Sequence, residues 1–180
     1  MVLPSLLSEH GYLMLSSTAL CLYSAFWVPF VFAGSERSKT FGKKWAESKE
    51  AQAIQAEHQK ELPNIKFSTS GYPDMGNGRY AATVSYSSWF KFNLAQRAHY
   101  RFMESFPALL GLHVLAGIYF PVASAALAPL YMWTYHVFGR NYVEGGPENR
   151  YSGLAAVQYV SILGWLFMAF AGSLKMIGAF

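Results

Sequence analysis

The sequence predicts an all-α protein, a four-helix transmembrane bundle with a polar, partly helical insert between its first and second helices. Hydrophobic residues make up 53% of the 180 residues and charged residues only 13%, whereas soluble domains carry about 25% charged residues. Several apolar runs are long enough to cross about 30 Å of hydrocarbon. Nine of the 14 Lys and Arg residues lie between Ser35 and Lys91. This distribution indicates a membrane protein and not a nucleic-acid-binding patch.

One membrane domain is expected over residues 1–180, with helices at about 11–34, 87–120, 121–141 and 153–177 and the polar insert at 35–86. No basic segment or small-residue cleavage site accompanies the first apolar run, so we interpret it as a retained span. The insert and the 141–152 loop hold most of the Lys and Arg residues. By the positive-inside tendency, both segments face the cytosol or its organellar equivalent, opposite the two termini. We expect an integral, multi-pass protein of the endoplasmic reticulum or a mitochondrial or other organellar membrane.

The insert is predicted to contain one solvated helix over 43–61, because this stretch is rich in Ala, Glu, Lys and Gln and has no Gly or Pro. Trp45 and Ile54 are expected to rest on the membrane or on a partner. Residues 71–79 are rich in turn formers, and no Lys-Ser or Lys-Thr follows their glycines, so they are not a phosphate-binding loop. Pro29 is expected to kink the end of the first helix.

The first half of the second helix carries charged residues directly into an apolar run. At 100° per residue, Arg97, Arg101 and Glu104 fall on one helix face, and His99 lies on nearly the opposite side. Ionisable residues at the edge of a bilayer indicate a functional site. The alternative is structural: Arg97 extends to the headgroups, and Arg101 pairs with Glu104.

Two motifs in the chain resemble those of one membrane-protein family. The first is Phe-Asn-x-x-Gln-Arg-Ala-His at 92–99, followed by Glu104 and Pro107. The second is Tyr-x-x-Gly-x-Pro-x-x-Arg-x-x-Gly at 142–153. Together they resemble the MAPEG family, the membrane-associated proteins in eicosanoid and glutathione metabolism, and within it the branch of type 3 microsomal glutathione S-transferases. The resemblance covers roughly residues 11–178, with a longer polar insert than the short members of that branch have.

The resemblance implies a homotrimer that binds glutathione as co-substrate between neighbouring subunits. The glutathione thiol would be conjugated to a lipophilic electrophile or would reduce a lipid hydroperoxide. Arg150 matches the arginine that stabilises the thiolate, although the alignment there needs a one-residue shift relative to some members. A guanidinium beside a thiol favours its ionised, nucleophilic form. The remaining predicted glutathione-binding residues are Arg97 and Arg101 for carboxylates, Glu104 for the ammonium, His99 at a position the family uses, and Tyr142 for the tripeptide.

Several residues depart from the family pattern. Arg101 stands where the family usually has Asn, and Phe138 stands where it usually has Tyr. Tyr135 replaces an Arg that is common one turn earlier, and Arg140 adds a charge. These departures favour a second hypothesis, a catalytically reduced MAPEG-like protein that serves as a structural or accessory subunit of a larger membrane complex. A lipid or sterol binder without chemistry is a third.

Other sites are less favoured by the sequence. His99 and His113 lie 14 residues apart on one helix, a spacing that bundle cytochromes use for two haems, but the third predicted helix offers only His136. We therefore expect His113 and His136 to be polar groups satisfied inside the bundle. The single cysteine, Cys21, cannot form a disulfide framework or a zinc site and is predicted to be a buried thiol. No metal-ligand spacing is present, so no metal is predicted.

Overall fold

The computed structural model describes residues 10–178, and within them every regular element is helical. The predicted all-α class is thus confirmed for this part of the chain, and residues 1–9 and 179–180 of the predicted domain lie outside it. The helices are α1 (Gly11–Pro29), α2 (Ser35–Thr40), α3 (Lys43–Ala46), α4 (Lys49–Glu61), α5 (Tyr86–Tyr119), α6 (Pro121–Gly145) and α7 (Gln158–Met176). Single 3₁₀ turns cover Ala81–Thr83, Pro147–Asn149 and Gly153–Val157.

The first helix continues past its predicted end near residue 34. A π-helical turn, Phe30–Gly34, follows Pro29 directly and leads into α2. Proline has no N–H to donate and its ring crowds the preceding turn, so the hydrogen-bonding pattern changes there. The disturbance expected at Pro29 is therefore a local widening, and helical backbone runs on to Thr40.

Local signals set the ends of α5 and α6. The Ser85 side chain caps α5 by accepting a hydrogen bond from the Ser88 amide at 3.3 Å. Pro121 occupies the start of α6, where its missing N–H costs nothing. The helix runs past its predicted end at 141, because the first residue to leave helical backbone is Gly146, with φ at 82°.

The four long helices pack against each other through α5 and α6. Helix α6 packs on α1, α5 and α7, and α5 also packs on α1 and α7. The π-helical turn Phe30–Gly34 approaches α6 closely at Gly139, since a Cβ there would lie 2.2 Å from the Phe32 ring. Phe102, Tyr135 and Trp165 are among the buried residues of this core.

Within residues 10–178, three helical segments are long and apolar enough, by length and composition, to cross a membrane. They are Gly11–Ala46, Tyr86–Tyr119 and Gly153–Met176. Helix α6, the predicted third span, is not among them; its middle contains Trp133, Thr134 and His136, which lower its hydropathy. These three segments indicate a membrane protein.

The insert has a small aromatic core of its own. Two predictions about the insert are wrong. The single helix expected over 43–61 is split into α3 and α4, because Ser48 caps α4 by accepting from the Ala51 amide at 3.2 Å. Trp45 does not rest on a membrane: it is 6% exposed and its ring packs edge-on to Phe41, 5.1 Å between centroids. Ile54 packs against the same cluster.

A tight loop at 71–81 holds the insert against α5. The Asp74 carboxylate accepts hydrogen bonds from the backbone amides of Gly76 at 2.7 Å, Gly78 at 3.0 Å and Ala81 at 2.8 Å. Burial alone would raise the pKa of Asp74, but these amide donors outweigh it and hold the pKa below its ordinary value. The Trp89 indole of α5 donates to the Gly76 carbonyl at 2.9 Å, so the loop is fixed to the charged half of α5.

Candidate functional site

The charged half of α5 presents its residues in different directions. Arg97 and Glu104 are exposed, and within residues 10–178 neither has an ion-pair partner within 4.0 Å. Arg101 is half-buried and likewise lacks a carboxylate partner. The structural alternative of an Arg101–Glu104 ion pair is therefore wrong.

Arg101 instead turns inward against aromatic rings. Its Nη1 donates to the Tyr151 hydroxyl at 2.5 Å, across 50 residues of sequence. Its guanidinium carbon lies 4.5 Å from the ring centroid of Phe138 and 5.3 Å from that of Tyr151. Cation–π contacts of this kind contribute about 0.5–2 kcal/mol each. They hold the charge of Arg101 at the junction of α5, α6 and the 146–157 connection.

Arg150 reaches the same tyrosine from the other side of the junction. Its guanidinium carbon lies 5.2 Å from the Tyr151 ring centroid, and its Nη1 donates to the Pro147 carbonyl. Tyr142 stacks on Phe138 at 5.9 Å between centroids. We call this group the two-arginine cluster; its members are Arg101, Phe138, Tyr142, Arg150 and Tyr151.

The two-arginine cluster has a positive local potential. Burial raises the pKa of the Tyr151 hydroxyl, but the adjoining Tyr159 and the charge of Arg101 lower that pKa by more, so the net pKa lies below its ordinary value. The guanidinium of Arg150, beside the Tyr151 ring, acts in the same direction. An acidic group placed beside this hydroxyl would feel the same stabilisation of its ionised form.

The structure thus brings together Arg101, Tyr142 and Arg150 of the six predicted site residues. The other three stay apart from them: no hydrogen bond, ion pair or ring contact between described residues joins Arg97, His99 or Glu104 to the two-arginine cluster. His99 is half-buried and stacks on Tyr100, and its Nδ1 is enclosed without a hydrogen-bond partner. The predicted roles of Arg97, His99 and Glu104 in binding glutathione stay predictions.

The residues that depart from the family pattern have defined places. Phe138, which lacks the expected hydroxyl, supplies the ring on which Arg101 rests. The hydroxyl of Tyr135 donates its single proton to the Ala98 carbonyl of α5 at 2.7 Å. Arg140 is exposed and forms an i,i+4 ion pair with Glu144. Tyr151 was not identified from the sequence, although it follows Arg150 directly; its contacts come from residues distant in the chain.

His113 is a satisfied polar group inside the bundle, as predicted. Its Nε2 lies 3.2 Å from the hydroxyls of both Ser17 and Thr18, and its Nδ1 lies 3.0 Å from that of Ser124. Cys21 is buried, also as predicted. Among residues 10–178, no group of three or more His, Cys, Asp and Glu side chains is placed to hold a metal ion.

Comparison of the chain with protein-family models, with curated proteins and with solved structures finds no match.

Proposed function

We propose that this chain is a membrane-bound, glutathione-dependent transferase or peroxidase of the MAPEG type that acts on lipophilic electrophiles or lipid hydroperoxides. The observation that carries the proposal is the meeting of Arg101 and Arg150 at one tyrosine, with no carboxylate within 4.0 Å of either guanidinium in the described part of the chain. Two such cations beside an apolar core suit an anionic ligand that carries a reactive thiol.

The proposed chemistry uses the positive potential of the two-arginine cluster. Arg150 stabilises the glutathione thiolate, which forms a carbon–sulfur bond with the electrophile as its leaving group departs with the electron pair. In the peroxidase reaction, two thiols become a disulfide and their two electrons reduce the hydroperoxide to an alcohol and water. Arg101 and Arg97 bind carboxylates, Glu104 binds the ammonium, and His99 and Tyr142 complete the site.

The proposed assembly is a homotrimer of four-helix transmembrane bundles in the endoplasmic reticulum or an organellar membrane. In this arrangement α6 also crosses the membrane, as the third of four spans, and packs on α1, α5 and α7. The exposure of Arg97 and Glu104 supports the trimer, because both side chains are available to a ligand or to a neighbouring subunit. The basic insert then lies on the cytosolic side.

The first test is glutathione binding to the detergent-solubilised protein by calorimetry, with thiolate absorbance at about 240 nm followed in parallel. Binding with a thiolate signal near neutral pH is expected. Arg150→Ala should abolish that signal and the conjugation of a model electrophile, and Glu104→Gln should weaken binding. Arg140→Ala is the matched control, because it removes the same charge ten residues away in an exposed ion pair. Unchanged turnover in Arg150→Ala would refute the catalytic role.

The second candidate function is a structural or accessory subunit of a larger membrane complex. It is favoured by the way the two-arginine cluster is filled: Arg101 is held by two rings and a hydroxyl, and Arg150 donates to a carbonyl. Under this hypothesis, millimolar glutathione does not bind, and the protein isolated in mild detergent migrates with other subunits. Binding of glutathione with a thiolate signal would exclude it.

A further inference from the structure

An open groove of about 740 Å³ lies where the apolar part of the first span meets the polar insert. Phe30 and Val31 of the π-helical turn line one part of it. Arg37 and Lys39 of α2 and Ser70 and Tyr72 of the insert line the rest. The groove therefore joins apolar and basic surfaces at the junction of a membrane-crossing segment and a polar one, far along the sequence from the two-arginine cluster.

Arg37 is an unusual residue within this groove. It is only 5% exposed, and no carboxylate of residues 10–178 lies within 4.0 Å of it. Its Nη2 donates to the thioether sulfur of Met75 at 3.3 Å, a weak acceptor, and its Nη1 has no hydrogen-bond partner among the described residues. Burying a guanidinium without good acceptors is costly. The side chain therefore has unused capacity to bind an anion.

The surrounding residues do not supply that anion. The guanidinium carbon lies 3.9 Å from the ring centroid of Tyr72 and 5.0 Å from that of Phe92, which are cation–π contacts and leave the N–H donors unused. Asp74 acts on Arg37 electrostatically. Its oxygens are already committed to three backbone amides.

We propose that the groove binds an anionic phospholipid. The phosphate lies between Arg37 and Lys39, and the adjoining methylene groups lie along Phe30 and Val31. No acidic residue belongs to the described lining of the groove. Lys39 pairs with Glu36, but an ammonium has three N–H donors and the Lys39 side chain is 66% exposed, so it can donate to a phosphate while it keeps that carboxylate. Nη1 of Arg37 is covered, and the half-exposed Tyr72 ring turns aside to admit the phosphate.

A lipid suits the groove better than free phosphate. Phe30 is 72% exposed and offers apolar surface that a phosphate alone cannot cover. The same residue lies within the last five residues of the apolar part of a segment able to cross a membrane, which gives way to polar residues at Ser35, so it lies near the end of the apolar layer. A phospholipid covers Phe30 and Val31 and neutralises Arg37 at the same time.

The test measures lipid binding to the purified full-length chain by native mass spectrometry in detergent. Dioleoylphosphatidylglycerol should bind at least tenfold more tightly than dioleoylphosphatidylcholine, because each basic residue near an anionic headgroup contributes about fivefold. Arg37→Gln should remove most of this preference. Lys39→Gln should lower it about fivefold. Inorganic phosphate and glycerol phosphate at millimolar concentration should not displace the lipid.

Two further variants make the test independent of folding defects at the buried Arg37. Ser38→Glu places a negative charge on an exposed lining residue and should abolish the preference for the anionic lipid. Lys44→Gln removes the charge of an exposed lysine outside the groove and should leave the preference within about twofold of the original. Equal affinity for the two lipids, or an unchanged preference in both Lys39→Gln and Ser38→Glu, would overturn the proposal. Displacement by inorganic phosphate would show a phosphate site and not a lipid site.

Discussion

Replacing Asp74 with alanine should open the 71–81 loop while the long helices stay folded. The residue is 7% exposed, and its carboxylate accepts three backbone hydrogen bonds of 2.7 to 3.0 Å. A hydrogen bond to a charged group contributes about 1.5–3 kcal/mol, so three would sum to about 5–9 kcal/mol. Water molecules that enter the opened loop hydrogen-bond to the freed amides and offset part of this loss. We therefore expect a loss of about 3–4 kcal/mol in the free energy of local opening.

Hydrogen–deuterium exchange read by mass spectrometry measures this loss directly. A loss of about 3 kcal/mol corresponds to a fall of more than about 100-fold in the protection of the amides of Gly76, Gly78 and Ala81. Asn77→Ala is the matched control, because Asn77 is exposed in the same loop and its side chain makes no hydrogen bond with the described residues. Amides in the middle of α6 should keep their protection in both variants.

The same carboxylate predicts an acid-sensitive loop. Because the folded-state pKa of Asp74 lies below its ordinary value of about 3.9, its contribution is fully present above that value. The contribution is lost as the pH falls through the lowered folded-state pKa. An acid titration followed by near-ultraviolet circular dichroism should show a transition below about pH 4 that Asp74→Asn lacks. The reasoning is refuted if Asp74→Ala keeps loop protection within about threefold of the original protein, or if Asn77→Ala loses as much.

Three further substitutions test the packing. Gly139→Ala places a methyl group 2.2 Å from the Phe32 ring and should destabilise the protein by about 2–3 kcal/mol in detergent denaturation. Gly111→Ala, where nothing lies within 4 Å, is the control and should be neutral or slightly stabilising. Equal effects of the two substitutions would contradict the close approach of the π-helical turn to α6. His113→Leu leaves three hydroxyls without their imidazole partner and should cost about 1–3 kcal/mol; an unchanged melting temperature would show that the contacts contribute nothing. Trp45→Ala should lower the free energy of unfolding of the insert by about 3–5 kcal/mol. Limited proteolysis should then cleave the insert first, and first cleavage elsewhere would show that the aromatic core is dispensable.

The positions of the long helices follow from local features of the sequence. Apolar runs, the capping Ser85, Pro121 at a helix start and Gly146 at a helix end act within one or two turns of backbone. The observed bounds of α5, Tyr86–Tyr119, accordingly lie within one residue of the predicted 87–120, whereas α7 begins at Gln158, after the 3₁₀ turn Gly153–Val157, and not at 153. The errors lie where a local signal was underestimated, as at Ser48, which splits the expected helix of the insert.

The directions of the charged side chains depend instead on partners distant in the chain. Spacing placed Arg97, Arg101 and Glu104 on one helix face, yet only Arg101 turns inward, because Tyr151 and Phe138 lie beside it after folding. Trp45 is buried for the same kind of reason: Phe67 and Tyr80 reach it from later in the insert. The sequence by itself determined the helices, their apolar faces and the set of candidate residues, since these depend on neighbours within a few residues. Tertiary structure alone decided which charges meet, since a side chain's environment is set by contacts between residues far apart in sequence.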